Sequence, residues 1–383
     1  MYSLLDYGEM IADKGRTDAY LTALQRVVNQ DSVVLDIGTG TGFFALLACK
    51  FGARKVYAIE PDNTIQIARD LAAANGFSER ITFIQNVSTK VDLPEAATVI
   101  ISDLHGKLPL YSHHLPSIID ARKRHLAPSG VLIPMQETLW VALVEAPNLY
   151  QRYSDPWNDS GGLGINMKPA LQVVMNTTWG GKDSDARILA EPKSWFILDY
   201  YTLDDPDVEG DMVWQIEHNG TVHGFRVWFD AVLSDGVGFT NAPDQPEHIY
   251  GSLFFPWSEP VAVGVGDTVS ISLKANLVGD DYIWRWNSTV SSQDNSEQKK
   301  ADYKQSSFDG MPFPLSNMRK RAASYKPALN EDGVVNHQIM NMMEQGLILD
   351  DISHRIVEQF PERFRDLSQA LAYVGELSIK YSQ

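Results

Sequence analysis

From Val33 to Gly42 the chain reads Val-Val-Leu-Asp-Ile-Gly-Thr-Gly-Thr-Gly, an apolar strand that opens through three glycines onto the apolar run Phe43 to Cys49. Main chain that turns so tightly beside a ligand needs glycine, because a β-carbon blocks both the turn and the approach. A nicotinamide dinucleotide fingerprint, G-x-G-x-x-G, would put its last glycine where Phe43 stands, so that reading loses ground. Eighteen residues beyond Gly42 the next β-branched run closes at Glu60, where an acidic side chain can accept from both hydroxyls of a ribose. Asp36 adds a carboxylate beside the turn, which suits a cation carrying an amino group better than it suits a pyrophosphate. A sulfonium nucleoside, S-adenosylmethionine, satisfies both ends.

Such residues need elements to hold them. Between positions 33 and 133 short β-branched runs (VVLDIG, KVYAIE, ITFIQN, TVIISDL) alternate with helical periods (FFALLACKFG, TIQIARDLAAANG), the rhythm of βαβ units in a parallel sheet. Gly52 and Gly76 follow helical stretches as C-terminal caps. From Thr138 strand-like segments rich in tryptophan take over, separated by Gly and Pro, as in an antiparallel β-barrel or sandwich. The turn-rich stretch from about 147 to 176 interrupts them, and a loop of that length is functional or makes a contact. Residues 288–306 are polar and read as a long hairpin loop or linker. Beyond 315, Ile352, Ile356, Val357 and Phe360, then Leu367, Leu371, Val374 and Leu377, mark two amphipathic helices. Asp350 or Asp351 is the expected N-cap of the first, and Pro361 its end. The expected class is α/β: a Rossmann-like parallel-sheet nucleotide domain over 1–135, an antiparallel β-barrel over 136–314, and a small helical unit over 315–383.

Composition narrows the partners. The 383 residues hold 32 Lys and Arg against 49 Asp and Glu, a net charge of −17, and so acidic a surface repels a phosphate backbone. Nucleic acid is excluded as the main partner. One cysteine cannot form an internal disulfide, and the amino-terminal MYSLLDYGEMIADKGR lacks the basic start and apolar stretch of a secretion signal. The seven-residue run Phe43 to Cys49 is far short of the ~18 residues needed to cross a bilayer. The expectation is a cytoplasmic protein with no membrane segment.

Six segments, MIADKGRT (10–17), VVLDIGTGTGFFAL (33–46), ARKVYAIE (53–60), VIISDLHGKLPLYSHHL (99–115), LAPSGVLIP (126–134) and WFDAVL followed by PEHIY (246–250), together resemble the class I S-adenosylmethionine-dependent methyltransferases, and within them the protein arginine methyltransferases. The likeness covers roughly residues 7–287. It implies that Arg16 pairs with the cofactor carboxylate, that Asp36, Gly38, Thr39, Gly40 and Gly42 form the methionine-end loop, that Glu60 clamps the ribose, that Pro61 is among the cofactor-binding residues, and that Ser88 and Thr89 meet the adenine. It also implies a homodimer, with residues 147–176 as the docking arm. Asp13 and His248 match a pair that joins barrel to nucleotide domain close to the reaction.

The resemblance places two glutamates on a hairpin to hold a guanidinium, whereas this chain has Asp103 and Ser112 there. Losing a carboxylate ~4 Å from a cation removes about 4 kcal/mol of gross attraction at an effective dielectric of ~20. Asp103 is the expected group for orienting the acceptor. His105, Lys107, Tyr111, Ser112, His113 and His114 are the neighbours available to bind it, with neutral histidine able to accept a proton. No metal site is expected, because adjacent helical residues such as His113 and His114 point apart. The acceptor class is a peptide, a protein or a small molecule, methylated on nitrogen or oxygen. The rival readings are a scaffold that binds the cofactor without turnover and a nicotinamide-dependent oxidoreductase. The carboxy-terminal NEDGVVNHQIMNMMEQGLILDDISHRIVEQFPERF resembles small winged-helix peptide-binding domains such as the chaperone of pyrroloquinoline quinone synthesis, which implies capture of a leader peptide as an added strand.

Overall fold

The computed structural model describes residues 2–158, 164–180, 186–246, 248–293, 299–312 and 314–382. The chain divides into two compact units, 1–312 and 313–383. Unit 1 opens with α1 (Leu4–Ala12) and α2 (Lys14–Val27). The parallel layer follows: β1 (Val33–Ile37), α3 (Phe43–Lys50), β2 (Lys55–Ile59), α4 (Ile65–Ala74), β3 (Ile81–Ile84), β4 (Ala97–Ser102), α5 (His114–His125) and β5 (Leu126–Ile133). Its strands run in the order β3-β2-β1-β4-β5, with Leu35 beside Tyr57 on one flank and Ile100 on the other. All five residues of β1 are buried, as a strand covered on both faces requires. The order reverses direction at β1, so a crevice opens where the carboxyl ends of β1 and β4 diverge.

The second half of unit 1 comprises β6 (Gln136–Glu145), α6 (Pro147–Asn158), α7 (Lys168–Met175), β7 (Trp179–Gly180), β8 (Arg187–Ile188), β9 (Lys193–Asp199), β10 (Val208–Gln215), β11 (Gly220–Ser234), β12 (Val237–Thr240), β13 (Leu253–Val263), β14 (Thr268–Val278), β15 (Asp281–Ser291) and β16 (Lys299–Ser306). One antiparallel sheet is built on β7-β13-β11-β6-β8, and the other on β10-β14-β15-β16. Their inner faces bury Phe225, Phe255, Trp257, Trp284 and Trp286, and the edge strands β9 and β10 lie together, giving a barrel-like wall. Alternation in β15, buried at Tyr282, Trp284, Trp286, Ser288 and Val290, is the pattern of a strand with one wet face.

Several expectations shift. The boundary near 135 coincides with the change from parallel to antiparallel sheet, but a single buried apolar core runs through both parts, so they form one compact unit. The described part of the interruption at 147–176 is largely helical, as α6 and α7, and Leu149, Tyr150 and Met175 hold it against Val144 and Phe254; 159–163 lie outside the described residues. Polar residues 288–306 are mostly the strands β15 and β16, because their alternating small side chains, Ser288, Val290 and Ala301, are buried in the barrel; 294–298 lie outside the described residues.

Unit 2 contains α8 (Leu315–Lys320), α9 (Glu331–Glu344), α10 (Leu349–Gln359) and α11 (Leu367–Tyr381), around Val335, Ile339, Ile352, Ile356, Phe364 and Val374. Among its described residues there is no strand, so the wing of a winged helix is not seen. Ile348, not Asp350 or Asp351, sits at the N-cap of α10; the two aspartates lie in its first turn, where they face the positive end of the helix dipole. No helix among the described residues is long and apolar enough to cross a membrane.

Candidate active site

The glycine loop follows β1 directly. Gly38 and Gly40 take positive φ, 71° and 53°. A β-carbon at Gly38 would lie 2.1 Å from Leu104 Cδ2, and one at Gly40 would lie 2.5 Å from Tyr7 Cε1, so both the turn and the close approach demand glycine. The amides of Gly38 and Thr39 donate to the Ile59 carbonyl at 2.9 and 3.0 Å, which ties the loop to the end of β2. Asp36 is buried beneath the turn, where its Oδ2 accepts from Thr39 Oγ1 at 2.6 Å. Burial outweighs the hydrogen bonds from Thr39 and the Ala45 amide and lifts its pKa to about 7. Asp36 therefore shapes the loop from below and is not among the residues lining the crevice.

Glu60 projects from the end of β2. Its Oε2 accepts from the Gly40 amide and its Oε1 from the Asp62 amide, both at 3.0 Å. Burial raises its pKa, against the pull of those two amides. A carboxylate has about four lone-pair sites, so two remain for a ligand. The crevice beside it has two lobes. One of about 280 Å³ is lined by Ile59, Glu60, Pro61, Val87, Ser88 and Leu104, with Tyr111, Ser112, His113 and His114 opposite. The other, of about 190 Å³, runs past Gly38 and Glu60 to Arg16, Asp103, His105 and the rings of Tyr2, Tyr7, Tyr111 and Tyr250. Thr89 is exposed and lines neither lobe.

Arg16, on α2, is 5% exposed and lies 5.3 Å from the ring centres of both Tyr20 and Phe44. Its Nε and Nη2 donate to Asp103 Oδ2, its Nε also to the Tyr250 hydroxyl, and its Nη1 to the Met10 carbonyl. Each terminal nitrogen keeps one N–H without a partner among the described residues, which leaves a fork fit for a carboxylate. Asp103 is more heavily engaged than expected. Its Oδ1 accepts from Tyr250 at 2.7 Å and from His105 Nδ1 at 2.6 Å, while Arg16 takes both sites on Oδ2. Burial opposes its charge, but Arg16 first and His105 next hold its pKa well below the ordinary carboxylate range. All four lone-pair sites are spent within the protein, so this geometry makes Asp103 a positioner of Arg16 and not a free orienter of the acceptor.

The chain of contacts continues inward. His105 Nε2 lies 2.6 Å from Glu137 Oε1, the Tyr200 hydroxyl donates to Glu137 Oε2, and His114 Nε2 lies 3.0 Å from the Tyr200 oxygen. Burial disfavours a charged His105, yet Glu137 and Asp103 on either side raise its pKa to about 10. His114 is pushed the other way, well below the usual imidazole value, by burial and then by the charge on His105. Its Nδ1 is buried without a hydrogen-bond partner. A ring nitrogen of each histidine and a Glu137 carboxylate oxygen lie within 4.8 Å of one another, so the fold assembles a possible ligand set where the sequence showed none. Glu137 and Tyr200 carried no motif, one standing in a strand and the other just after one, and Tyr250, the last residue of PEHIY, was given no role; only the fold brings them here.

The remaining candidates divide between the rim of the crevice, where Ser112 and His113 lie, and positions outside it. His113 is half exposed, with Nε2 2.8 Å from Asp280 Oδ1. Lys107 is exposed and lines neither lobe. Ser112 takes φ 46° at the turn before α5. Asp13 and His248 do meet, Oδ1 to Nδ1 at 2.9 Å, and Asp13 Oδ2 accepts from the Ile249 amide at 2.8 Å. They join the start of α2 to the loop before β13 and line an open groove whose lining shares no residue with either lobe, although the Arg16 amide donates to Asp13 at 3.2 Å.

Comparison with known proteins adds likenesses in sequence and in fold. Residues 13–133 match the family described as ribosomal protein L11 methyltransferase, and residues 136–291 the arginine methyltransferase oligomerization subdomain. A probable protein arginine N-methyltransferase 6 of Arabidopsis thaliana is 29% identical over 59% of this chain and 54% of its own length. Human protein arginine N-methyltransferase 2 is 29% identical over 76% of this chain and 72% of its own. This chain thus spans about half the length of the Arabidopsis relative. The Trypanosoma brucei PRMT1 enzyme-prozyme heterotetrameric complex with AdoHcy superposes with a TM-score of 0.71 at 22% identity, covering 78% of this chain and 96% of that one. In domain order, in sequence and in fold, residues 13–291 are similar to the class I S-adenosylmethionine-dependent methyltransferases of the protein arginine methyltransferase type.

Proposed function

We propose that the protein is an S-adenosylmethionine-dependent methyltransferase acting on a nitrogen or oxygen of a peptide, protein or small-molecule acceptor. The observation that carries this reading is Glu60, held by the Gly40 and Asp62 amides with two lone-pair sites left over, at a crevice between diverging parallel strands. S-adenosylmethionine, when bound, supplies a methyl group on a sulfonium centre. The chain's own residues bind and align. Glu60 would grip the ribose, Pro61 and Ser88 would flank the adenine, and the spare N–H groups of Arg16 would take the carboxylate. Asp103 and Tyr250 fix the plane of that guanidinium, and Tyr2, Tyr7 and Tyr111 screen the second lobe from water. Alignment of acceptor and methyl carbon is then the main work left to the protein.

The test is calorimetry with S-adenosylhomocysteine. Glu60→Gln removes a charged acceptor worth about 1.5–3 kcal/mol, so affinity should fall about 10- to 100-fold; unchanged affinity would sink the placement of the ligand. Incubation with methyl-labelled S-adenosylmethionine and cell extract should then mark an acceptor.

The saturation of Asp103 favours a second reading, a cofactor-binding scaffold without turnover. A scaffold would bind S-adenosylhomocysteine and leave every acceptor unlabelled. The matched oligomerization subdomain and the packed pair α6–α7 support a homodimer docked through 147–176, which sedimentation would read directly.

A further inference from the structure

At the inner wall of the crevice, four side chains from four separate elements converge on one buried point. His105 comes from the hairpin after β4, His114 from the first turn of α5, Glu137 from the start of β6 and Tyr200 from the turn after β9. His105 and Glu137 have no exposed side-chain area, and His114 and Tyr200 are 1% exposed. We propose that His105, His114, Glu137 and Tyr200 form a closed structural site for one divalent transition-metal ion of the zinc type. This inference does not depend on the methyltransferase reading.

Donor chemistry comes first. Two imidazoles, a carboxylate and a phenol make a nitrogen and oxygen set suited to a borderline ion, and four protein donors with no solvent access describe a structural centre and not a catalytic one. The donor atoms already touch in series: His105 Nε2 to Glu137 Oε1 at 2.6 Å, Glu137 Oε2 to the Tyr200 hydroxyl, and Tyr200 oxygen to His114 Nε2 at 3.0 Å. The outer shell is built as well. His105 turns its other nitrogen to Asp103 Oδ1 at 2.6 Å, the carboxylate–histidine arrangement that orients a metal-bound imidazole and fixes its tautomer. Asp103 is itself held by Arg16 and Tyr250.

The donor geometry carries the argument, and the charge can balance around it. Without an ion, the buried set is Arg16⁺, Asp103⁻, an imidazolium at His105 donating to a carboxylate on each side, and Glu137⁻. Those charges cancel. A divalent ion would displace one proton from His105 Nε2 and one from the Tyr200 hydroxyl, while His114 moves its proton from Nε2 to Nδ1. Two protons leave and two positive charges arrive, so the buried sum is again zero. The shift exchanges the hydrogen bond from His114 Nε2–H to the Tyr200 oxygen for a bond to the ion, and it leaves the proton on the buried Nδ1, which has no hydrogen-bond partner. An ion at this point would fasten the hairpin, α5 and both edges of the barrel wall, and through Asp103 would set the plane of Arg16.

The full-length protein, stripped with chelator and dialysed, is titrated with zinc alone. The expected result is one equivalent bound, two protons released per ion when the titration is repeated in buffers of different ionisation heat, and a rise in Tm. Cobalt in place of zinc should give the visible absorption of a four-coordinate site. Glu137→Gln and Tyr200→Phe keep the packing volume and should each weaken zinc binding at least tenfold; His114→Ala should abolish the cobalt band. Circular dichroism and cooperative urea unfolding of the same variants show whether they are folded, a readout that does not involve the ligand placement at Glu60. No tight equivalent in the wild type, or zinc binding that survives all three substitutions, would overturn the proposal and leave the cluster as a purely proton-bridged network.

Discussion

A buried carboxylate under a glycine loop is the residue whose state the fold alters most simply. Asp36 is 1% exposed, and its pKa rises from 3.8 to about 7 because burial penalises the charge more than Thr39 and the Ala45 amide support it. The sign follows directly. Below about pH 4 both the folded and unfolded forms are protonated and the group contributes nothing. Between pH 4 and 7 the unfolded chain ionises first, so stability falls as pH rises, by on the order of 4 kcal/mol in total, and it levels off above pH 7. Asp36→Asn stays neutral and its side-chain oxygen can still accept from Thr39. The variant should therefore lose much less stability than the wild type between pH 4.5 and 7.5, as read by urea unfolding; parallel curves would show that Asp36 does not carry a raised pKa. The position of Asp36, the glycine turn and Glu60 were all legible in the sequence, because each depends on neighbours within a few residues or on the fixed period of a βαβ unit. The employment of Asp36 was not, since a carboxylate in a strand pattern does not say which side of the loop it faces. Asp103 shows the same limit more sharply. Its partners stand 87 and 147 residues away, at Arg16 and Tyr250, and no local spacing encodes that saturation.

Elements meet through residues too small to announce themselves. Gly15 lies in the first turn of α2, where alanine would ordinarily improve the helix by about 1 kcal/mol. A β-carbon there would stand 2.2 Å from Cε1 of His248, the ring that Asp13 holds at 2.9 Å. Overpacking of that kind costs about 1–3 kcal/mol. Gly15→Ala should thus destabilise the protein, whereas the same substitution made together with His248→Ala should stabilise it relative to His248→Ala alone. That reversal of sign in a double-mutant cycle is the measurement; the same sign in both backgrounds would mean that the joint between α2 and the loop before β13 does not depend on this contact. The expected pairing of Asp13 with His248 is present in the fold. It is the joint between elements that the resemblance implied; what the spacing of two residues 235 positions apart could not reveal is the contact with Gly15 that the joint requires.

At the scale of the molecule the division falls near 313 and not near 135. β5 ends at Ile133 and β6 begins at Gln136, so the parallel sheet feeds straight into the antiparallel one, and a single apolar core runs from Val34 and Ile100 through Leu139 to Phe225 and Trp286. The texture change at Thr138 was visible as a change in hydrophobic period, from helical alternation to strand alternation. What periodicity could not show is that the two textures share one interior, because a core is a property of contacts and not of spacing. The carboxy-terminal unit has its own separate core, with Val335, Ile339, Ile352, Ile356 and Val374 all nearly fully buried. None of the residues lining either lobe of the crevice lies beyond Tyr250. A chain ending at Pro312 should therefore keep a cooperative unfolding transition and bind S-adenosylhomocysteine within about twofold of the full-length protein, by calorimetry. Unit 2, if it folds independently, should appear in the full-length protein as a second calorimetric transition that the truncated chain lacks. A truncated protein that fails to fold, or that loses the ligand, would mean that unit 2 completes the structure of unit 1, and the cores would then have to be counted as one.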